Sequence, residues 1–434
     1  MGSATLGPGG AGRRAHGQIA LRHVLCANGH LGRFPDGSGP AALCHFGSTS
    51  LAAHMIDMDV VPADSHSNRS GSPDVKPLLD RHRPKLWKPK RVLVTPAALE
   101  WEHGHAMLTR AEALDCEIVR LKANRLAGLA GDDPRRAYVD AKNTLAIVVA
   151  PPTKLRLQPI PPSADWRLDL AEGCPAHCQY CYLAGSLAGP PVTRVYANLP
   201  EILSAAERHI DRGAVTSRSA GRRHEGTTFE ASCYTDPLGI EHLTGSLGEA
   251  IGFFAQLDAA VQLRFTTKFD AVGPLLKLDH NKNTRMRVSV NAPSLVRLEG
   301  GAAGLLARLQ AARRMAEAGY RIGLTIAPIM PVQGWQEEYR SLLNLASETL
   351  GSVPGADLTI ELITHRFTAG SKEVLTSWYP GSSLEMDEDT RAQKRTKFGS
   401  LKYVYQPEVM EQMRGFFMAE LPIRLPEAQV LYWT

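Results

Sequence analysis

Gly173-Cys174-Pro175-Ala176-His177-Cys178-Gln179-Tyr180-Cys181-Tyr182 puts three thiols within eight residues at C-x3-C-x2-C spacing. The run directly follows a short apolar stretch over 167–170 that reads as a strand. Three thiolates on one tight loop can hold three irons of a cubane 4Fe–4S cluster and leave the fourth iron without a protein ligand. An open coordination position serves chemistry, whereas a closed site serves structure or electron storage. Two other readings stand beside it. Structural zinc would want a fourth donor, with His177 the candidate inside the loop, although zinc sites usually come as paired C-x2-C or C-x2-C…H-x3-H units. A disulfide with one spare thiol is the other. His177 itself reads better as a residue that positions the loop or faces solvent than as a ligand.

Outward from the loop, short apolar runs alternate with helical patterns. Strands are expected over 167–170, 227–232, 262–267, 285–291, 321–327 and 358–363, and helices over 200–212, 241–254, 303–318 and 337–350. Strands joined by helical crossovers imply a parallel sheet with right-handed connections. Six strands are too few to close an eight-fold barrel, so the expected core is a curved, partly open (β/α)6 barrel over 161–370. Catalytic loops of such folds follow the C-terminal ends of the strands, where the cysteine loop lies. Ahead of it, residues 88–160 read as a small α/β unit with strands over 91–95, 117–121 and 144–150 and a helix that starts at Thr95-Pro96 and runs to about 114. Behind it, 371–434 reads as a C-terminal region with a β-hairpin, a last helix and a strand over 430–433.

Composition bounds the rest. The chain has 434 residues, 44% hydrophobic and 21% charged, with a formal charge of +5, which fits an ordinary folded protein and permits a polyanionic partner without requiring one. No apolar run approaches the ~18 residues of a membrane helix. Seven cysteines, an odd count without a recognisable signal peptide, argue against a secreted disulfide framework and for a reducing, cytoplasmic setting. Residues 1–87 read as a low-complexity extension; a later start at Met55 or Met58, or a transit peptide, would look similar. Cys26 and Cys44 within it read as plain thiols, and Cys116 as a buried structural one. Cys233 stands alone at the end of the second expected barrel strand: a core thiol, or a catalytic one.

Spacing and placement of Cys174, Cys178 and Cys181 point to a radical S-adenosylmethionine (SAM) enzyme, in which the open iron binds SAM. Longer motifs then carry a closer resemblance. Residues 173–183, Arg194-Val195-Tyr196-Ala197-Asn198-Leu199, the run from Phe229 to Thr244 around Cys233-Tyr234-Thr235-Asp236, Thr266-Thr267-Lys268-Phe269, Arg287-Val288-Ser289-Val290-Asn291-Ala292, Ile326-Ala327-Pro328-Ile329, Glu361 to Phe367 and Lys402-Tyr403-Val404-Tyr405 occur in order over roughly 88–434. Together they resemble the spore photoproduct lyase family, radical SAM DNA-repair enzymes with a partial (β/α)6 barrel.

The resemblance implies a 4Fe–4S cluster on Cys174, Cys178 and Cys181, and SAM contacts from Tyr182, Thr235, Asp236, Lys268, Ser289 and Ala327. It implies that the adenosyl radical abstracts hydrogen from C6 of 5-thyminyl-5,6-dihydrothymine, that the bond between the bases fragments, and that Cys233 returns a hydrogen atom. Tyr180 and Tyr182 would relay the radical back to SAM, although tyrosines beside a cluster can also simply pack there. Asp236 and Lys268 could instead form an ordinary ion pair. Implied partners are DNA carrying a thymine-dimer lesion and an electron donor such as flavodoxin or ferredoxin. The segment 391–405 mixes five cations with three aromatics and no acid. It matches the family's DNA-probing hairpin, with Lys397, Phe398, Lys402 and Tyr403 as contacts; without the resemblance it reads as a solvated basic face.

Three features depart from the family pattern. Tyr234 stands where a smaller residue is expected, and Lys397 where arginine is expected. An apparent insertion over 217–226, with Arg218, Arg222 and Arg223, reads as a DNA-touching loop or a solvated one. Two alternatives to the lyase remain at this point: a radical SAM enzyme for another nucleic acid or a peptide, and a non-catalytic, metal-containing nucleic-acid-binding protein.

Overall fold

Strand residues whose type alternates while both faces stay buried build the core of this molecule. The computed structural model describes residues 84–126, 133–185, 191–351, 353, 355–395 and 401–434; among them, Lys85–Thr434 belong to one compact unit. Thr284–Val290 is buried at every position, yet Arg285, Arg287 and Ser289 alternate with Met286, Val288 and Val290. A period of two sends these sets to opposite faces. The apolar set packs against helices such as Leu305–Glu317, whose Leu309, Ala312 and Met315 are buried, and the polar set fills the interior of the sheet's curve.

That sheet has eight strands. In spatial order they are Gln429–Trp433, Leu358–Thr364, Arg321–Ile329, Thr284–Val290, Val261–Thr267, Thr227–Ala231, Ala164–Leu168 and Gln158–Ile160. The first seven run parallel, and Gln158–Ile160 is antiparallel at the edge. The partial barrel is therefore one parallel strand larger than the six expected. The addition is the C-terminal strand, which pairs with Leu358–Thr364 although some 65 residues without barrel strands separate them. The expected helix over 241–254 is broken at Gly245, whose φ of +68° no ordinary residue adopts comfortably. Glu241 caps the second piece by accepting from Leu247 N and Gly248 N, both at 2.9 Å.

Inside the curve, the lower rungs hold charges that neutralise one another. Arg287 donates to Glu361 at 2.7 and 2.8 Å, to Ser163 Oγ at 2.8 Å and to Glu230. Arg264 lies 2.9 Å from Glu225. Gly323 makes room for this, because a Cβ there would come within 2.8 Å of the Arg287 side chain and 2.9 Å of Thr359 Oγ1. The stretch over 217–226 forms part of this floor and is neither solvated throughout nor a DNA loop as a whole. Arg222 is buried, pairs with Glu225 at 3.0 Å, and donates to the carbonyls of Pro162 and Ser163 at 2.6 and 2.9 Å. Arg218 and Arg223 remain exposed.

A second sheet, ordered Glu117–Arg120, Arg91–Val94, Thr144–Val148, Thr193–Tyr196 and Ala171–Glu172, reaches past the expected boundary at 160. Its last two strands pair antiparallel, Ala171 with Val195 and Glu172 with Arg194, and so flank the cysteine loop on both sides. The C-terminal hairpin pairs Arg391–Arg395 with Leu401–Tyr405. Among the described residues no helix is long and apolar enough to cross a membrane.

Candidate active site at the barrel mouth

Gly173 opens the cysteine loop at φ +78°, where a Cβ would lie 2.2 Å from the Val192 carbonyl oxygen. The loop is then stitched down: His177 and Cys178 pair antiparallel with Gly300 and Glu299, and Gln179 N donates to Leu298 O at 2.9 Å. Cys174, Cys178 and Cys181 are free thiols lining one cavity together with Tyr138, Lys142 and Tyr379. Burial pushes the Cys174 thiol up to about 11, with the Lys142 charge pulling the other way. Burial drives Cys178 up as well, opposed by Lys268. His177 comes within 3.4 Å of the Tyr138 hydroxyl. Burial, and then the Lys142 charge, lower it to about 4.

Lys268, Ser289 and Ala327 continue the interior ladders of their strands upward from Arg264, Arg287 and Gly323. The Lys268 ammonium donates to Ser289 Oγ at 2.6 Å and sits 3.0 Å from Glu299. It also lies 5.6 Å from the centre of the Tyr180 ring. Glu299 in turn pairs with Arg308 at 2.5 Å and accepts from the Tyr180 hydroxyl. Tyr180 is buried, and burial together with the Glu299 charge drives its phenol well above the ordinary value. The Asp236 carboxylate accepts from Thr267 Oγ1 at 2.7 Å, Lys268 N at 2.6 Å and Gly239 N at 3.3 Å. Burial raises it to about 6 against those bonds. The alternative ion pair is not formed: Asp236 meets the backbone of Lys268, and the ammonium goes to Glu299. Thr235 Oγ1 is buried at this mouth without a hydrogen-bond partner. Ala327 precedes a cis proline where the pairing of two strands shifts register.

Cys233 follows a strained turn. Ser232 has φ +60°, held by its N–H to Leu168 O at 2.7 Å and by its Oγ, which accepts from Leu170 N and Ala171 N at 3.0 and 3.2 Å. Backbone held in this region costs on the order of 1–3 kcal/mol and persists where surroundings over-determine it, often at working sites. Tyr182 is 62% exposed, and its hydroxyl donates to the Cys233 carbonyl, linking the cysteine loop to the lone thiol's segment. Tyr234 is clamped: Arg167 donates to its hydroxyl at 3.1 Å and stands 4.8 Å from the ring centre, with Lys154 at 5.2 Å.

The expected hairpin forms, with two of its named residues buried. Lys402 and Tyr403 are 8% and 9% exposed, and the Tyr403 ring stacks on Phe367 at 5.2 Å. Strand alternation sends the two to opposite faces of the hairpin, and the Tyr403 face is covered by Phe367. Lys394 and Arg395 are exposed instead. Lys397 and Phe398 lie outside the described residues. Sequence reading also missed Lys142, Glu299, Arg308, Arg167 and Tyr138. A signal existed for two of them: Arg308 and Lys142 sit on the buried stripes of their helices, where a charge is out of place.

The family model described as spore photoproduct lyase matches residues 87–434. The chain belongs to the spore photoproduct lyase family. Curated relatives agree: spore photoproduct lyase of a Geobacillus species is 38% identical over 352 residues, covering 81% of this chain and all of the relative. That of Bacillus subtilis is 36% identical over 348 residues, covering 80% and 98%. Among solved structures, a double mutant of spore photoproduct lyase with bound AdoMet and dinucleoside spore photoproduct is similar at a TM-score of 0.74 and 36% identity, with 81% of this chain and all of that one covered. A spore photoproduct lyase complexed with dinucleoside spore photoproduct matches equally well.

Proposed function

We propose that this protein is a radical SAM lyase that repairs spore photoproduct in DNA, working in the cytoplasm. The observation that carries the reading is the convergence of three unbridged thiols on one cavity at the mouth of a partial barrel, in a chain of this family. The donors suit a cluster. Three thiols line one cavity, and His177, the loop's other possible donor, turns to the Tyr138 hydroxyl, which leaves a three-cysteine set of the kind that holds three irons of a cubane. The mouth also suits SAM, since the buried Thr235 hydroxyl lacks a partner and Lys268 brings a positive charge to Ser289.

In this reading Cys174, Cys178 and Cys181 hold a 4Fe–4S cluster, and Tyr182, Thr235, Lys268, Ser289 and Ala327 bind SAM. Asp236 serves by fixing the backbone of Lys268 and Gly239. Cluster and SAM together supply one-electron cleavage of the sulfonium and hydrogen abstraction from the lesion, with the electron coming from a flavodoxin- or ferredoxin-like donor. Cys233, presented by the Ser232 turn, returns a hydrogen atom from its thiol to the thymine radical after the inter-base bond has broken. Tyr182 and Tyr180 carry the radical away. Tyr182 contacts the Cys233 segment directly, and the Glu299 carboxylate, as acceptor, keeps the Tyr180 phenol oriented. The Tyr234 clamp forms a rigid wall beside the thiol. Reaching a linked dinucleotide in a duplex requires both bases to leave the stack, and the exposed Lys394 and Arg395 offer charge for the flanking phosphates.

The test is anaerobic reconstitution followed by incubation with SAM, reductant and synthetic spore-photoproduct dinucleotide, read by mass spectrometry. Unlinked thymidines are expected. Release of 5′-deoxyadenosine with the lesion untouched would keep the radical chemistry and reject this substrate. Purified protein holding zinc and no iron would reject both.

A further inference from the structure

Lys142 lines the cysteine cavity and Lys268 lies beside Tyr180, and of these two lysines only Lys268 pairs with an acid. Lys268 shares the Glu299 carboxylate with Arg308, at 3.0 and 2.5 Å. Lys142, at the end of the helix Pro134–Lys142, is 4% exposed and has no carboxylate within ion-pair distance among the described residues. Its donors go to the carbonyl oxygens of Cys174 and Ala176, which are dipoles and not charges. The Tyr138 ring, 5.9 Å from Nζ, adds only a weak cation–π attraction. A buried charge without a counter-charge costs several kcal/mol. A chain that keeps one here must recover that cost from something this cavity receives.

We propose that Lys142 is the counter-ion of the cluster bound by Cys174, Cys178 and Cys181, a positioning and potential-tuning residue that favours the reduced cluster. The proposal rests on the cluster reading given above. Three thiolates on a 4Fe–4S core leave net negative charge, and one-electron reduction adds another. A fixed positive charge at the cavity wall stabilises the reduced form more than the oxidised one, because burial leaves little solvent to screen it. Neighbouring charge and hydrogen bonding are among the levers that set such potentials. The lysine comes from a helix that packs by the second sheet, 32 positions before Cys174, and ties that part of the fold to the cysteine loop.

The experiment uses the full chain, reconstituted anaerobically, with iron and sulfide counts and an EPR-monitored redox titration. In Lys142→Met the ratio of reduced to oxidised cluster at a fixed potential is expected to fall about ten-fold, which the one-electron relation converts to about 59 mV. Lys142→Arg, which keeps the charge, should stay near wild type. Lys142→Met carrying a full cluster at the wild-type ratio overturns the proposal. If Lys142→Met does not hold a cluster, Lys142→Gln, which keeps N–H donors for the two carbonyls without charge, takes its place. A loaded glutamine variant with the wild-type ratio makes Lys142 a loop-holder and overturns the proposal, whereas a ten-fold fall supports it. Loss of cluster in both neutral variants with retention in Lys142→Arg supports a need for charge, and loss in all three overturns it. Wild-type protein that assembles no cluster would instead fail the reading on which the proposal rests.

Discussion

The floor and the mouth of this barrel are built from the same strands, and they treat charge in opposite ways. On the floor, Arg287 meets Glu230 and Glu361, and Arg264 and Arg222 meet Glu225, so every one of these acids has a base. At the mouth, one or two rungs higher, Thr235 lacks a partner, Lys142 lacks an acid and three thiols share a cavity. A network whose acids all meet bases serves stability and specifies one packing of the strands, even where single donors such as Arg287 Nε stay unpartnered. An unfinished one is a receptor. The same interior ladder therefore carries both roles, and the change from one to the other falls between Arg287 and Ser289 on a single strand.

If that division is right, damage at the two ends should separate. Cys174→Ala should abolish iron binding and all lesion turnover while leaving the thermal unfolding of the apo chain nearly unchanged; a collapsed fold would break the division. Arg287→Met should do the reverse. It leaves Glu230 and Glu361 buried without their base, a loss of roughly 3–5 kcal/mol that a denaturant melt would read, with the cysteine loop still able to take up iron if the variant folds. Cys233→Ala sharpens the mouth further: SAM cleavage should continue while lesion turnover shifts from thymidines to an aberrant adduct, and clean repair by this variant would remove Cys233 from the mechanism. The smallest effect tests a neighbouring group that belongs to neither end. His365 is lowered to about 3 by burial and then by the Arg391 charge. An unfolded histidine titrates near ~6.5, so below that pH the unfolded chain binds the extra proton and stability falls. At pH 5 the loss is about 2 kcal/mol from this group, and His365→Gln should shrink the pH 7 to pH 5 difference in unfolding free energy, read from urea melts, by that amount.

The parallel alternation and the cysteine loop were legible in the sequence because both are local patterns: period-two strands, helical crossovers, and three thiols in one run. The strand Gln429–Trp433 was visible as a strand but not as a barrel member, since nothing in its own residues names its neighbour across the 65-residue gap. The burial of Lys402 and Tyr403 was not legible, because a basic, aromatic hairpin does not by itself say which residues face outward; for Tyr403, pairing with Phe367 decides that. Glu299 and Lys142 escaped for the same reason. Each is an isolated charge whose meaning depends on a loop 118 to 125 positions or 32 positions away, and only a charge on an apolar helix stripe hinted at either Lys142 or Glu299's partner Arg308.

The antiparallel pairing of Ala171–Glu172 with Thr193–Tyr196 has a consequence for assembly. It joins the two ends of the segment that contains all three cysteines, so the entropy of closing that loop, which grows as about (3/2)RT ln n, is lost when the sheet forms and not when metal arrives. On the cluster reading the thiols would be gathered before iron binds, and loading would be an exchange of protons for iron. Maturation would accordingly track the supply of iron and sulfide, with the rate of chain folding playing little part.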